Sequence, residues 1–202
     1  DILFELEKEL EAVQKDRETQ RKRRSRSALP QIALVGYTNA GKSSLMNKMV
    51  EVYQKEEDKM VEAKDMLFAT LDPTSRALTL PDGRKVMLID TVGLVSRLPH
   101  QLVQAFHSTL EEAVDADLIL NVCDVSSPEF DQQLEVTTGL LKELGAENVP
   151  VLTVLNKCDK LPELPMTLNK STAAISAKTG MGLEKLLEIL RRETKILHIE
   201  KD

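Results

Sequence analysis

The sequence is poor in aromatic residues and in cysteine. It contains no tryptophan, and aromatic residues make up only 3% of the 202 positions. A hydrophobic core must therefore be built from aliphatic side chains. The two cysteines, Cys123 and Cys158, do not have the spacing of a metal site. Because both lie in or at the end of segments typical of strands, we expect reduced, buried thiols rather than a disulfide.

Long apolar runs are also missing. No stretch approaches the roughly 20 apolar residues that cross a bilayer, and no signal-peptide pattern opens the chain, so we expect a cytoplasmic monomer. The net charge of −6 excludes a general attraction to nucleic acid, although a local basic patch remains compatible with it. The chain begins with Asp1 rather than methionine, which favours an excised fragment.

The first 29 residues have a different pattern from the rest. Leucines and one valine recur at spacings of three and four, which predicts an amphipathic helix with one apolar seam. A basic run follows, from Arg21 to Arg26. Its spacing fits a solvated helix end as well as it fits a patch that binds RNA phosphates. We expect residues 1–29 to form a helical linker and residues 30–202 to form a separate domain.

From residue 31 onward, short apolar strands alternate with helical patterns. Pro81-Asp82-Gly83 predicts one hairpin turn. This order predicts an α/β fold with a mostly parallel six-stranded sheet and helices on both faces. The apolar run from Val149 to Leu155 predicts a strand buried on both faces, and residues 101–115 have helical periodicity. The charged residues 51–66 fit a helix extension or a mobile loop. In such sheets, ligands bind beyond the carboxyl ends of the strands.

A phosphate-binding loop follows the first predicted strand and opens a helix. Glycines allow the backbone to surround phosphates, and the loop amides with the helix N-terminus supply partial positive charge. We expect Lys42 to reach the outer phosphates as a catalytic group and the Ser43 hydroxyl to bind Mg²⁺. The pattern alone does not distinguish ATP from GTP. The predicted loop residues are Gly36, Tyr37, Thr38, Asn39, Ala40, Gly41, Lys42, Ser43 and Ser44.

A second loop, directly after the buried strand, predicts guanine recognition. The Asp159 carboxylate can accept hydrogen bonds from guanine N1 and N2, whereas adenine presents an acceptor at N1 and would be rejected. Asn156 can tie this loop to the phosphate loop, and the Lys157 stem can cover the base. A third segment after the last strand fits a loop whose amide meets guanine O6. Its residues are Ser176, Ala177 and Lys178.

Two segments between these loops are typical of regions that sense the γ-phosphate. Asp90 is expected to hold Mg²⁺ through water, and the Gly93 amide to bind the γ-phosphate. Before the hairpin, Thr70 is the preferred Mg²⁺ ligand and Thr74 the alternative. Leu94 stands where many regulatory GTPases carry the glutamine that orients water. The remaining predicted contacts are Phe68, Ala69, Thr91 and Val92.

Because Leu94 cannot orient a water molecule, intrinsic hydrolysis is expected to be slow. Two candidates could supply the missing group. In some GTPases, asparagine at the position of Asn39 helps to bind K⁺ near the phosphates. The other candidate is a macromolecular partner that orders the two γ-phosphate segments.

These residues together resemble the HflX family of translation-factor-related GTPases. The resemblance rests on the phosphate loop, on residues 67–74 (Leu-Phe-Ala-Thr-Leu-Asp-Pro-Thr), on Asp90 to Gly93, on residues 98–103 and on Phe106 to Glu111. Two departures are Leu94, where the family usually has phenylalanine, and the length of segment 51–66.

The resemblance implies a Ras-like P-loop GTPase domain that requires Mg²⁺. It further implies binding to the large ribosomal subunit and its RNA, stimulation of hydrolysis by that partner, and splitting or rescue of stalled ribosomes under stress. Residues 1–29 would then be the remnant of an N-terminal domain that the ribosomal contact would need, and the basic run gains weight as an RNA patch. The alternative is a ribosome-assembly switch of the Era or Obg type. An ATP-driven P-loop protein of another class is disfavoured by Asp159.

Overall fold

The computed structural model describes residues 29–59, 75–91, 93, 113, 115–164 and 168–199. The helix expected over residues 1–29, apart from Leu29, and most of the helix expected over 101–115 lie outside these ranges. The strands of the described part are β1 (Gln31–Val35), β2 (Ser75–Thr79), β3 (Lys85–Asp90), β4 (Leu118–Asp124), β5 (Val151–Asn156) and β6 (Thr172–Ala174). Its longer helices are α1 (Lys42–Tyr53), α2 (Phe130–Glu143) and α3 (Leu183–Ile199).

The strands form one six-stranded sheet in the order β2-β3-β1-β4-β5-β6. Only β2 is antiparallel to its neighbour, and it pairs with β3 through the predicted hairpin turn. All other neighbours are parallel. The predicted fold class is confirmed, and the carboxyl ends of β1, β3, β4, β5 and β6 therefore meet at one edge of the sheet.

The two faces of the sheet are covered by different helices. Along β1, Ile32 and Leu34 belong to a buried cluster that includes side chains of α1 and α3. Ala33 and Val35 alternate with them and belong to a second cluster, with Leu141 of α2. This alternation is what period-two side-chain geometry requires of a strand between two helical layers. None of the helices described is long and apolar enough to span a membrane.

Strand β5 differs from its predicted form. It begins at Val151 rather than at residue 149, and it is not buried on both faces along its whole length. Val151 is 36% exposed, and Thr153 is half-buried. The cause is the short partner strand β6, which begins its pairing opposite Thr153 and leaves Val151 beyond the end of the ladder.

Helix α3 starts with a close approach to β6. Gly182 has a φ of +78°, and a Cβ at this position would overlap the carbonyl oxygen of Ala174. Any other residue would have to adopt a left-handed backbone and push the helix away from the strand. The side chains that follow, Leu183, Leu186 and Leu190, fill the core. Glycine at position 182 therefore fixes the docking of α3.

We predict opposite effects of two glycine-to-alanine exchanges on stability. Gly182→Ala should lower the free energy of unfolding by more than about 1 kcal/mol, because the native backbone and the contact with β6 are both incompatible with a side chain. The control is Gly139→Ala in α2, where no atom lies within 4 Å of the added Cβ. That exchange should raise stability by about 0.5–1 kcal/mol. Urea denaturation of both variants measures the difference, and equal effects would contradict the packing described.

Candidate functional site

The predicted phosphate loop lies at the carboxyl end of β1 and leads into α1. Lys42, the first residue of α1, is 7% exposed. Its Nζ donates hydrogen bonds to the carbonyl oxygens of Gly36 and Tyr37, both at 3.2 Å. Burial lowers the pKa of Lys42, and the charge of Asp90 partly opposes this effect. The ammonium group is therefore held inside the loop, among carbonyl groups.

A hydroxyl group and a carboxylate, those of Ser43 and Asp90, lie together beside the loop. The Ser43 hydroxyl donates a hydrogen bond of 2.6 Å to Oδ2 of Asp90, at the end of β3. The second carboxylate oxygen, Oδ1, is buried without a hydrogen-bond partner. Carboxylate and hydroxyl oxygens are the ligands that Mg²⁺ prefers. A buried acceptor without a donor is therefore what a hydrated Mg²⁺ ion would satisfy, and the residues fit such an ion.

The segment after β3 approaches the phosphate loop. A Cβ placed on Gly93 would come within 2.8 Å of Cα and Oγ1 of Thr38, so the two loops are in close contact. Thr91 has a different role from its neighbours. Its hydroxyl donates a hydrogen bond of 2.6 Å to the carbonyl of Leu34 in β1. The Thr91 side chain thus holds β3 to β1, and a contact of this residue with nucleotide stays a prediction.

Asn156 joins three loops at the carboxyl end of β5. Its Nδ2 donates a hydrogen bond of 2.8 Å to the carbonyl of Ala40 in the phosphate loop. Its Oδ1 accepts one of 3.0 Å from the backbone amide of Ala177. Asn156 is 2% exposed, and a Cβ on Gly41 would overlap its Nδ2. The phosphate loop, the loop containing Asp159 and the loop after β6 are therefore held together by one buried amide group.

Lys157 makes a second connection between the same loops. Its Nζ donates hydrogen bonds of 2.6 Å to the Asn39 carbonyl and 2.7 Å to Oδ2 of Asp124. Lys157 adopts a left-handed backbone, with a φ of +66°, which for a non-glycine residue costs energy. The paired charges and the hydrogen bond to the phosphate loop hold it there.

Asp124 is a site residue that the sequence analysis did not identify. Burial raises the pKa of its carboxyl, but hydrogen bonds from Lys157 and Ser126 outweigh burial and hold that pKa below its usual value. The group therefore faces Lys157 as a carboxylate. Its position directly at the end of β4, next to the strand that carries Asn156, is the signal that could have identified it.

The carboxylate predicted to read the base lies at the surface. Asp159 is exposed and lies in a short 3₁₀ turn, Cys158–Lys160. The buried Cys158 fixes this turn, because its amide donates a hydrogen bond of 3.1 Å to the Ile175 carbonyl. The expectation of free, buried thiols is confirmed, and burial raises the pKa of both cysteines.

The loop after β6 lies beside this turn. The Ser176 side chain is buried, and its Oγ accepts a hydrogen bond of 3.2 Å from the Thr179 amide. Lys178 is exposed. Six of the predicted residues, or alternatives to them, lie outside the described residues, so their predicted roles stay predictions: Phe68, Ala69, Thr70, Thr74, Val92 and Leu94.

Comparison with known proteins identifies the family of the chain. The family described as "50S ribosome-binding GTPase" matches residues 31–157, which include the phosphate loop, Asp90 and Asn156. The chain belongs to this family. The resemblance to HflX proteins is confirmed as well. The chain is 48% identical over 188 residues to the GTPase HflX of Caldanaerobacter subterraneus subsp. tengcongensis and 38% identical over 194 residues to that of Escherichia coli K12.

These alignments cover most of this chain but less than half of the relatives. The two HflX alignments each cover 93% of the chain, against 42% and 44% of the respective relatives. A solved structure is also similar, that of a GTP-binding protein from Sulfolobus solfataricus in complex with GDP. It superposes with a TM-score of 0.68 at 27% identity, covering 91% of this chain and 58% of that one.

We predict that Asn156→Asp separates the loops of the site. The exchange keeps the acceptor for Ala177 but replaces the donor to Ala40 with an oxygen that repels its carbonyl. Losing a buried hydrogen bond costs about 1–3 kcal/mol, and about 1.4 kcal/mol is a factor of ten in affinity. Affinities for GDP and GTP should therefore both fall by roughly tenfold to a hundredfold, as measured with fluorescent nucleotides.

The matched control is Asn169→Asp. Asn169 uses Oδ1 to accept hydrogen bonds from the Ser171 amide and the Thr172 hydroxyl, and an aspartate retains these acceptors. Affinity should stay unchanged in this variant. A folded Asn156→Asp variant that binds nucleotide as well as the unmodified chain would contradict the bridging role of the amide.

Proposed function

We propose that the chain binds GTP and hydrolyses it to GDP and phosphate in a reaction that requires Mg²⁺. The observation that supports this most directly is the double bridge made by Asn156, between Ala40 and Ala177. This bridge joins the loop that we propose to bind phosphate to the loop that we propose to meet guanine O6. The names of the HflX relatives and of the matching family support the same reaction.

At the phosphate end, Lys42 exchanges its partners when nucleotide binds. Its Nζ now donates to the carbonyls of Gly36 and Tyr37, and phosphate oxygens offer a stronger, charged acceptor. Ser43 would hold Mg²⁺ directly, and Asp90 would hold it through water, with Thr70 as the ligand from the segment before β2. When bound, the ion offsets negative charge on the β- and γ-phosphates. The Gly93 amide and Thr70 would respond to the γ-phosphate.

At the base end, Asp159 would accept the N1 and N2 protons of guanine. Lys157, held by Asp124, would lay its aliphatic stem along the base. The Ala177–Lys178 backbone would meet guanine O6, while Asn156 keeps that loop in position. ATP would leave the Asp159 carboxylate facing an acceptor, so we expect exclusion of adenine.

Hydrolysis by this chain alone would be slow, because Leu94 cannot orient the attacking water. We propose that a ribosomal partner, namely the large subunit and its RNA, orders the site; the family description, which names binding to the 50S subunit, supports this choice of partner. The chain spans less than half the length of its HflX relatives, and the rest of such a protein would contribute to this contact. Splitting or rescue of stalled ribosomes is the proposed outcome. A switch in ribosome assembly is the alternative.

We predict that Asp159→Asn changes base preference. An asparagine can donate to the O2 atom of xanthine but cannot accept both guanine protons, so GTP affinity should fall at least about tenfold while affinity for xanthosine triphosphate rises. Competition of unlabelled nucleotides against a fluorescent analogue measures both. Glu163→Gln, an exposed carboxylate in the same loop, is the control and should keep the guanine preference. Unchanged GTP preference in Asp159→Asn would contradict our assignment of the base loop.

We further predict stimulation of hydrolysis by mature large ribosomal subunits, since a partner must supply what Leu94 lacks. Phosphate release should be measured with and without subunits, for this chain and for a chain extended to the length of the relatives. Stimulation only by immature particles would favour the assembly switch, and no stimulation of either chain would contradict the ribosomal partner.

Running the reaction in KCl and in NaCl tests the predicted K⁺ near Asn39, which equal rates would exclude.

A further inference from the structure

Asp124, at the end of β4, contacts two different parts of the site with its two carboxylate oxygens. Its Oδ2 accepts a hydrogen bond of 2.7 Å from Nζ of Lys157. Its Oδ1 accepts hydrogen bonds of 3.0 Å from the Ser126 amide and 2.6 Å from the Ser126 hydroxyl. The turn after β4 therefore fixes the orientation of the carboxylate that Lys157 meets. The function proposed above gives this carboxylate no task at the phosphate end of the site.

Lys157 connects Asp124 to the phosphate loop. The same Nζ donates a hydrogen bond of 2.6 Å to the Asn39 carbonyl, and Asn156 donates one to the next carbonyl, that of Ala40. Two consecutive carbonyls of the phosphate loop are therefore held by two consecutive residues at the end of β5. Asp124 pairs with Asn156 across the β4–β5 ladder, so the two residues are neighbours where the adjacent strands end.

The Asn39 carbonyl belongs to a tight turn of the phosphate loop. Asn39 has a φ of +66°, a left-handed conformation that few non-glycine residues adopt. The Ala40 amide donates a hydrogen bond of 3.1 Å to the Tyr37 carbonyl. The Asn39 carbonyl and the Ala40 amide form one trans peptide group, so they point in opposite directions. This peptide group is therefore held by Lys157 on one side and by Tyr37 on the other.

Lys157 depends on a charged partner to keep this position. The side chains of Lys157 and Asp124 are 25% and 18% exposed, so water competes only in part with their ion pair. A lysine side chain without a fixed partner samples many rotamers, and ordering it costs free energy. Removing the charge of Asp124 would leave the neutral Asn39 carbonyl as the remaining acceptor for Lys157 among the described residues. The carboxylate therefore orders the lysine on the phosphate loop.

We propose that Asp124 is a positioning residue for nucleotide binding, which holds Lys157 and thereby keeps the peptide group after Asn39 in the conformation that receives the nucleotide. The inference rests on the proposed function, in which this loop binds the phosphates of GDP and of GTP. Because the contact does not involve the γ-phosphate, Asp124 supports the binding of both nucleotides to the same extent.

The sign of the effect separates this role from a simple effect of charge. A carboxylate by itself repels phosphate groups, so removing its charge would make nucleotide binding tighter if only its electric field mattered. Loss of a positioning contact makes nucleotide binding weaker. The two explanations for Asp124 therefore predict changes of opposite direction.

The test measures the affinities of fluorescent GDP and of a fluorescent, non-hydrolysable GTP analogue. Asp124→Asn keeps an acceptor for Ser126 and removes the charge that meets Lys157. We expect both affinities to fall by the same factor, about fivefold to tenfold, because one long side chain must then be ordered during binding. The matched control is Ser126→Ala, which removes the hydroxyl donor to the other carboxylate oxygen and should change neither affinity.

A double-mutant cycle measures whether Asp124 acts through Lys157. Lys157→Met removes the ammonium group and keeps an unbranched apolar stem for the base. In this background Asp124→Asn has no ion pair left to break, so it should cause no further loss of affinity. An equal loss in both backgrounds would overturn the proposal, and so would unchanged or tighter binding by the single Asp124→Asn variant.

A second variant keeps the test decisive if Asp124→Asn does not fold. Asp124→Ser carries no charge, and its hydroxyl can accept a hydrogen bond from the Ser126 amide in a similar turn. It should lower both affinities as Asp124→Asn does. Failure of the unmodified chain to bind either nucleotide would instead refute the proposed function, so the two failures are distinguishable.

Discussion

The site depends on one buried side chain, the amide of Asn156. Its Nδ2 donates a hydrogen bond to the phosphate loop, and its Oδ1 accepts one from the loop after β6, so a single rigid group contacts both loops. A shorter or apolar side chain would leave the Ala40 carbonyl and the Ala177 amide without these partners, at a cost of about 1–3 kcal/mol for each buried group. Gly41 lies so close to this amide that a longer side chain at position 156 would not fit. The spacing between the phosphate loop and the loop after β6 is therefore set by the length of an asparagine.

Polar and charged groups around this amide are paired with other groups of the protein. Lys42 uses backbone carbonyls, Lys157 uses Asp124 and the Asn39 carbonyl, and Ser43 donates to Asp90. Of these groups Lys42 is buried, and leaving its ammonium group buried without a partner would cost several kcal/mol. The exception is Oδ1 of Asp90, which is buried without a donor. A hydrated cation bound at this point would satisfy that acceptor.

Local patterns in the sequence predicted the fold class and the main loops of the site. The phosphate loop and Asn156 follow strands at the places where parallel strands end, and those ends meet at one edge of the sheet. The residues that the sequence analysis missed depend on distant pairing. Asp124 meets a lysine 33 positions away, and Asp58 meets donors that the hairpin register brings together 21 and 27 positions away. The exposed start of β5 was missed for the same reason, since it depends on where the short strand β6 begins.

Two polar clusters restrain opposite ends of the β2–β3 hairpin. Ser43 and Asp90 lie at the site end, whereas Asp58 holds the far end through Thr79 and Lys85. A β-hairpin that is held at both ends behaves as one rigid unit. One strand cannot slip past the other by one residue without turning all of its side chains to the opposite face of the sheet. Of the segment after α1, the described residues up to Lys59 are tied to this hairpin through Asp58.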